Sequence, residues 1–401
     1  MPGETVSVTT REPIGAEYSA APSAVGNTTR RIASLDIVRG LIMVLMAIDH
    51  VRVYAGVPAG GRTAGVFFTR WVTNFSAPGF AFLAGTAAFL YARKVNDRWA
   101  VSRFLAMRGA LLVLLELTVM RLSWTFNLDF AHYNLAGVLW MLGWCMILMA
   151  GLVWLPTAAI GALGLVMIFA QSVFGPIARA LPHAVGAFLY GGGQTQLGAM
   201  PIDVLYVIVP WIGVMAAGYA FGVVTTWGAE KRRAACLWIG GLATMAFLVV
   251  GSAAALNGKA PADAPPVLFR ILNQRKYPAS PWFLLMTLGP TIALLPAAET
   301  MRGWFAKVMT TFGRVPLFFY LLHIPLIHAL ACLVSVARVG SVNPWLSANH
   351  PVEPGPAPPG YRWSLALVYL TLAAATALLY EPCRRYAQLK ATGRYPWLRY
   401  L

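Results

Sequence analysis

Charged residues are scarce in this sequence. Only 11% of its 401 residues are Asp, Glu, Lys or Arg, whereas a soluble domain carries about 25%. Hydrophobic residues make up 58% of the chain, and the mean hydropathy is +0.64. This composition excludes an ordinary soluble globular protein and predicts a polytopic protein whose main partner is the lipid bilayer. In such a protein the net charge of +17 reflects topology and lipid contact, so we expect no nucleic acid partner.

Cysteines are also few, and phosphate-binding glycine loops of the soluble type are absent from the sequence. The four cysteines are scattered, and their spacing predicts neither a disulfide framework nor a metal site. About thirty polar residues precede the first apolar segment, so we expect no secretory signal. Residues 1–30 should form a disordered cytoplasmic tail, and residues 31–401 should form one transmembrane domain.

Long apolar segments occupy most of the remaining chain. A spanning helix needs about 20 mostly apolar residues, and ten segments meet this requirement. The predicted fold is therefore all-α, a bundle of about ten transmembrane helices. The segments lie near residues 34–56, 67–92, 103–123, 134–155, 157–175, 202–226, 234–256, 281–298, 314–337 and 362–381.

Lysine and arginine counts orient this bundle. With both termini in the cytoplasm, 17 basic residues fall on the inner side and 11 on the outer side. Cytoplasmic loops carry the excess of positive charge, so we predict a multi-pass protein of the cell inner membrane with both termini cytoplasmic. The long outer loops 176–201, 257–280 and 338–361 are rich in Gly and Pro, which predicts lids or vestibule walls.

The first apolar segment contains Asp36, Arg39, Asp49 and His50 among its ionisable residues. Arg39 and His50 are eleven residues apart, which is about three helical turns and ~16 Å, so both lie on one helix face. Asp36 lies one turn before Arg39, and a simple structural interpretation pairs these two at the inner interface. Asp49 and His50 lie deep on the far side, where a charged group needs protein or a water-filled path. A histidine there is also often only a satisfied interhelical hydrogen bond.

Other segments place polar groups at comparable depths. Asn74 enters the second segment from the outside and is a candidate site residue. His323 lies ~13 Å beyond Arg314 in the ninth segment, with Tyr320 one turn before it. Two prolines interrupt that helix, and an interrupted helix with a buried histidine is typical of a cavity wall.

Glu116 lies midway along the third segment. We favour a structural ion pair with Arg108 or Arg121 over a catalytic role. In the outer loop that follows, Asp129 and His132 suit contact with a sugar, although a polar loop alone explains them equally well.

Several of these stretches together resemble a known family. The eleven-residue step from Arg39 to His50 is similar to a signature of membrane-bound acyltransferases. The resemblance to bacterial members of the heparan-α-glucosaminide N-acetyltransferase-like group covers residues 31–400. The stretches that carry it are NFSAPGFAFLAG, PWIGVMAAGYAFG, KYPASPWFLLMTLGP and FGRVPLFFYLLHIPLIH.

The resemblance implies a transmembrane acyltransferase with a cavity open to both sides of the membrane. Acetyl-CoA would be the acyl-donor cosubstrate on the cytoplasmic side, and a carbohydrate-type acceptor, a sugar or amino sugar, would bind on the far side. His50 would be the general base, with Asp49 or Asn74 orienting the imidazole or the acceptor, or Asn74 polarising the thioester. Direct transfer and an acyl-histidine intermediate both remain open, and a homodimer is compatible with the sequence.

The donor would bind at the inner end of the same cavity. Arg39 and Arg314 would hold its phosphates, and His323 and Tyr320 would line the donor-binding path. The animal lysosomal enzymes place their key histidine about eleven residues beyond the position of Asp49, where this chain has Gly60. We therefore transfer the role to His50, the nearest histidine.

Two other classes compete with an acyltransferase. Buried Glu116, His323 and Asp49 suit a proton-coupled transporter of a small solute, but the sequence shows no paired inverted repeat. A purely structural membrane protein with a decayed site is the third possibility.

Overall fold

The computed structural model describes residues 33–61, 63–257, 264–352 and 354–400. The predicted cytoplasmic tail, residues 1–30, lies outside this described part. The structure is 74% helical, and its described residues contain three short strands. The expected all-α membrane protein is confirmed at this level.

The helices are numbered here in chain order. Within α2 a 3-10 turn covers Val72–Phe75, and within α3 a π-helical segment covers Glu116–Met120. The strands are β1 (Leu135–Ala136), β2 (Gly193–Leu197) and β3 (Met200–Val204). The helices are α1 (Ala33–Tyr54), α2 (Ala64–Val95), α3 (98–125), α4 (Val138–Leu152), α5 (Thr157–Phe169), α6 (Gln171–Ala180), α7 (183–191), α8 (Trp211–Thr226), α9 (Ala229–Leu256), α10 (Val267–Leu272), α11 (Pro281–Thr300), α12 (Gly303–Arg314), α13 (Pro316–Val339) and α14 (Leu365–Ala391).

Five helices in the described part of the chain are long and apolar enough to cross a membrane: α2, α9, α11, α13 and α14. The pair α5 and α6 would form a sixth span, bent by 75°. Each of the ten segments predicted from the sequence overlaps a helix, but the number of spans stays a prediction. The multi-pass character of the protein is confirmed.

Two predicted spans differ from the observed elements. Residues 202–204 belong to β3, so the sixth segment becomes helical only at Trp211. Arg314 is the last residue of α12, and Val315 then leaves the helical conformation before α13 begins at Pro316. The physical reason is the proline, whose ring disfavours a helical conformation at the preceding residue. The ninth predicted span therefore corresponds to α13, and only its first residue, Arg314, belongs to the preceding helix α12.

Helix α1 is the central element of the bundle. It packs against α2, α11, α12, α13 and α14, and most of its side chains are buried. Near the N-terminal end of α1, two glycines allow α1 and α12 to touch through their backbones. A Cβ atom at Gly40 would collide with the carbonyl of Met309, and one at Gly313 would collide with the carbonyl of Asp36. This contact brings the end of α12 beside the first turns of α1.

A β-hairpin interrupts the helical architecture between α7 and α8. Strands β2 and β3 are antiparallel, and β1 pairs in parallel with the other edge of β3. The hairpin turn begins at Gly198, which has a φ of +64°, a conformation favoured at tight hairpin turns and easily reached by glycine. The predicted outer loop 176–201 is thus partly ordered secondary structure.

The predicted topology can be tested with reporter fusions. Fusions at Arg233 and Arg394 should report a cytoplasmic location, because both positions lie in basic segments. A fusion at Gly191, before the hairpin, should report the opposite side. The reverse pattern would overturn the orientation and place the hairpin in the cytoplasm.

Candidate functional site

Two histidines from distant parts of the chain are in direct contact. Nδ1 of His50 in α1 lies 2.6 Å from Nε2 of His323 in α13. Their ring centroids are 4.8 Å apart with an interplanar angle of 29°. His50 is 9% exposed, and His323 is fully buried. The structure therefore places these two sequence-predicted residues in one pair, called the histidine dyad below.

The backbone of α13 determines which ring nitrogens of the dyad carry hydrogen. Nδ1 of His323 lies 2.6 Å from the carbonyl oxygen of Tyr320. Because a carbonyl only accepts, this nitrogen is the donor, and a neutral His323 presents a lone pair at Nε2. His50 then donates its Nδ1–H to that lone pair. The other nitrogen of His50, Nε2, is left with a lone pair, and no described residue hydrogen-bonds to it.

Aromatic rings fix the orientation of the dyad. The edge of Trp124 packs against His50 with a centroid distance of 4.9 Å, and Tyr320 lies 5.2 Å from His323. Within the described part of the chain, the Tyr320 hydroxyl has no hydrogen-bond partner. Tyr320 is thus beside the dyad, one turn before His323 as the spacing predicted, with a polar atom available to a bound molecule.

Asp49 does not hydrogen-bond to the imidazole that follows it in the chain. Its Oδ1 atom lies 2.8 Å from Nε of Arg52 and 3.6 Å from Nε of Arg70. Arg70 also donates to Oδ1 of Asn74 at 2.8 Å. The structure therefore gives Asp49 a role in holding Arg52 and Arg70. Sequence reasoning missed Arg70, although its four-residue spacing from Asn74 was a usable signal.

The amide group of Asn74 is fixed by this network. Since its Oδ1 accepts from Arg70, its Nδ2–H₂ group is left as the donor, and no described residue accepts from it. Helix α1 packs against the 3-10 turn that carries Asn74. An oriented amide donor near the outer part of α1 suits stabilisation of a developing negative charge.

Positive charge predominates around His50. Three cations act on its imidazole, Lys276, Arg52 and Arg70, against the single carboxylate of Asp49. The Lys276 ammonium lies over the rings of Tyr206 and Tyr277, at 5.8 and 5.3 Å from their centroids. Burial lowers the pKa of Lys276, and this effect outweighs the opposing influence of Tyr277 and Asp49.

A second charged group lies at the opposite end of α1. Arg39 contacts Asp36 at 3.2 Å and donates to the carbonyl of Gly313 at 3.1 Å. Nε of Arg314 lies 4.0 Å from the same Asp36. The glycine contacts between α1 and α12 explain this convergence, because they bring the last residue of α12 beside the first turn of α1. The structural pair of Arg39 with Asp36 is confirmed.

Arg108 adds a third guanidinium to this group. The charge of Arg39 acts on Arg108, and the Nε atom of Arg108 is buried with no hydrogen-bond partner among the described residues. We call Arg39, Arg108 and Arg314 the inner cation cluster, after the orientation predicted from the sequence. Arg39 and Arg314 contact the carboxylate of Asp36. Arg108 lies within the electrostatic reach of Arg39, so this group suits a polyanion such as a phosphorylated ligand.

The predicted ion pair of Glu116 is wrong. Its Oε2 atom accepts a hydrogen bond from the backbone N–H of Leu139 at 2.9 Å, at the start of α4. Arg121, one of the two expected partners, instead donates to Asn127 and to the carbonyls of Tyr133 and Asp129. The first N–H groups of a helix have no intrahelical acceptor and carry partial positive charge, so they attract a carboxylate as an arginine would.

The fold and the site together define a class of protein. A multi-pass helical bundle carries a histidine with an available ring nitrogen at one end of a central helix and a cation cluster at the other. This arrangement suits a membrane-embedded group-transfer enzyme.

The family follows from a direct comparison. The model of the family described as heparan-alpha-glucosaminide N-acetyltransferase, catalytic, matches residues 31–257, and the chain belongs to this family. Membership supports an acetyltransferase of membrane character. A search of curated proteins finds no match.

Proposed function

We propose that this protein transfers an acetyl group from cytoplasmic acetyl-CoA to an acceptor on the opposite side of the membrane, with His50 as general base. The observation that carries the proposal is the dyad, in which a hydrogen-bonded His323 leaves Nε2 of His50 as the available base. The family supports acetyl transfer, and the geometry of α1 supports transfer across the bilayer.

The inner cation cluster would hold the phosphates of the donor. The buried Nε of Arg108 lacks an acceptor among the described residues, and phosphate oxygens would provide one. Arg39 and His50 belong to one continuous helix, with a rise of ~16 Å between them. The long pantetheine arm of CoA suits such a separation between phosphates and thioester.

At the other end of α1, each side chain around the dyad would have a separate role in the transfer reaction. Nε2 of His50 takes a proton from the acceptor amine or hydroxyl as its nitrogen or oxygen attacks the thioester carbonyl carbon. Nδ2 of Asn74 donates to the carbonyl oxygen as negative charge develops there. The carbon–sulfur bond then breaks, and His50 returns the proton to the departing thiolate. Throughout, His323 accepts from Nδ1 of His50 and keeps the ring in place.

The excess of positive charge around His50 favours an amine acceptor in its reactive form. Lys276, Arg52 and Arg70 disfavour a bound ammonium group, so an amine would enter neutral and with its lone pair free. An amino sugar is therefore a suitable acceptor, and a hydroxyl acceptor is compatible with the same machinery.

The transporter hypothesis loses one of its main arguments in the structure. Glu116 was a candidate proton carrier, but it accepts hydrogen bonds from the start of α4 and so has a structural partner. Incubation of the purified protein with acetyl-labelled acetyl-CoA tests the enzyme directly. We expect binding and slow release or transfer of the label, whereas a transporter or a decayed site would leave the thioester intact.

Removal of Arg39 should weaken donor binding. A charge-assisted hydrogen bond contributes about 1.5–3 kcal/mol, so Arg39→Ala should raise the Kd for CoA roughly 10- to 100-fold. Arg39→Lys should recover only part of this loss, because lysine cannot form a bidentate contact with phosphate. Calorimetry on purified protein measures both values.

The matched control for this prediction is Arg103→Ala. Arg103 is an exposed cation on α3 and does not belong to the inner cation cluster. Its removal should leave CoA affinity nearly unchanged. Unchanged affinity in a well-folded Arg39→Ala protein would instead limit Arg39 to its pair with Asp36.

A further inference from the structure

A polar cavity lies beside the β-hairpin. Its volume is about 550 Å³, within the range of roughly 300–1,000 Å³ that is common for small-molecule sites. The walls come from the loop before β1, the start of α7 and both strands of the hairpin. Among the lining side chains are His132, His183, Gln194, Thr195, Gln196 and Asp203.

The walls of this cavity suit a neutral, hydroxyl-rich ligand. Amide, imidazole and hydroxyl groups both donate and accept hydrogen bonds, as sugar hydroxyls require. Among the described residues that line it there is no Lys or Arg, and Asp203 is the one carboxylate. Phosphate, sulfate and carboxylate ligands would therefore find no lysine or arginine in this described lining. The cavity differs sharply from the cation-rich surroundings of His50.

The cavity is built from fixed parts. Nδ2 of Asn134 donates to the carbonyls of Phe130 and Pro201, which ties the loop before β1 to the start of β3. His183 contacts the hydroxyl of Thr195 at 3.3 Å, which ties α7 to β2. These bonds hold the lining groups in place before any ligand binds, which reduces the entropy lost on binding.

A short series of contacts connects the cavity wall to the dyad. The hydroxyl of Tyr133, which lines the cavity, donates to the carbonyl of His350 at 3.1 Å. The His350 ring packs on Tyr54 with a centroid distance of 4.9 Å. Tyr54 lies one turn after His50 on α1. The cavity and the His50 end of α1 are therefore at the same end of the bundle.

From these observations we propose that the hairpin cavity binds the neutral hydroxylated part of the acceptor, such as the uncharged end of a glycan, and discriminates against anionic sugars. The link to acetyl transfer rests on the function proposed above, but ligand binding in the cavity does not. The cavity would hold the part of the acceptor that does not react, while His50 acts on the part that does.

Sugar titrations of the purified full chain test this inference. Saturation-transfer NMR would compare glucose, glucosamine and glucuronate in the absence of acetyl-CoA. Glucose and glucosamine should bind, and glucuronate should bind at least about 10-fold more weakly. The Gln194→Ala/Gln196→Ala double variant removes two exposed amides from β2, and with them the hydrogen bonds that they would form with a bound sugar. Its affinity for glucose should fall roughly 10-fold.

Two controls separate the possible failures. Leu197→Ala alters the same strand outside the cavity lining and should bind glucose normally. Leu197→Ala should also retain acetyl-CoA binding and hydrolysis, and the double variant should unfold at the wild-type temperature, so that a loss of glucose binding is not a loss of fold. The inference is wrong if no sugar binds the wild-type protein, if glucuronate binds as well as glucose, or if the double variant binds like the wild type. If the wild-type protein binds glucose but does not turn over acetyl-CoA, the proposed function is refuted and the cavity inference stands.

Discussion

Replacing His50 with alanine should lower acetyl transfer by about 10²–10⁴-fold, the usual contribution of a general base. The change removes Nε2, the dyad nitrogen that carries no hydrogen bond to a described residue. Acetyl-CoA affinity should stay near the wild-type value, because the inner cation cluster lies at the other end of α1. Calorimetry with acetyl-CoA and a transfer assay on the same preparation measure the two effects separately.

His328→Ala is the matched control for this change. His328 is a second buried histidine of α13, stacked on Tyr54 with a centroid distance of 4.5 Å, and it is not part of the dyad. Like His50→Ala, this substitution leaves a space in the bundle, so it should lower the thermal stability. The rate of acetyl transfer per folded molecule should stay at the wild-type value. Transfer at the wild-type rate by His50→Ala protein would show that the base is elsewhere.

Replacing His323 with phenylalanine should slow transfer by roughly 10- to 100-fold. Phenylalanine retains a planar ring but removes the acceptor for Nδ1–H of His50. A buried donor without a partner costs about 1–3 kcal/mol, and 1.36 kcal/mol corresponds to a tenfold change in rate. The freed His50 can then adopt the other tautomer, in which Nε2 carries hydrogen and cannot act as the base. We therefore expect a lower kcat with little change in the KM for acetyl-CoA.

His323→Gln distinguishes this positioning role from simple packing. The glutamine amide oxygen can accept from His50 in place of Nε2, so this variant should recover most of the lost rate. The pH dependence of kcat should also shift in His323→Phe, since the partner of the base has changed. If both variants are equally slow and equally destabilised, His323 contributes packing alone.

The sequence alone was sufficient to predict the family and the positions of most helices. The apolar segments correspond to helices, and the step from Arg39 to His50 lies within a single helix, as its spacing predicted. Helical periodicity works here because both residues belong to one continuous element. The depth of His323 was harder to place, because its rise was counted from Arg314 across the break at Val315.

Contacts between elements were beyond what the sequence could provide. Nothing in the spacing of His50 and His323, 273 residues apart, indicates that their rings meet. The sequence reasoning paired Glu116 with an arginine because a buried carboxylate is expected to have a cationic partner. In the structure its partner is the backbone N–H of Leu139 in a neighbouring helix. Strand β2 was assigned to a loop and most of β3 to the sixth span, because short, half-polar strands carry a much weaker pattern than a spanning helix.

The partner of His50 has a consequence for charge balance during turnover. An imidazole such as His323 contributes no negative charge, unlike the carboxylate that commonly supports a catalytic imidazole. When His50 accepts a proton, a net positive charge arises where cations already outnumber anions, and a buried unpaired charge is costly. The departing thiolate supplies the opposite charge at the same moment, and return of the proton neutralises both. Electroneutrality would therefore couple acceptor deprotonation to thiol release, so that protonated His50 does not accumulate between these two steps.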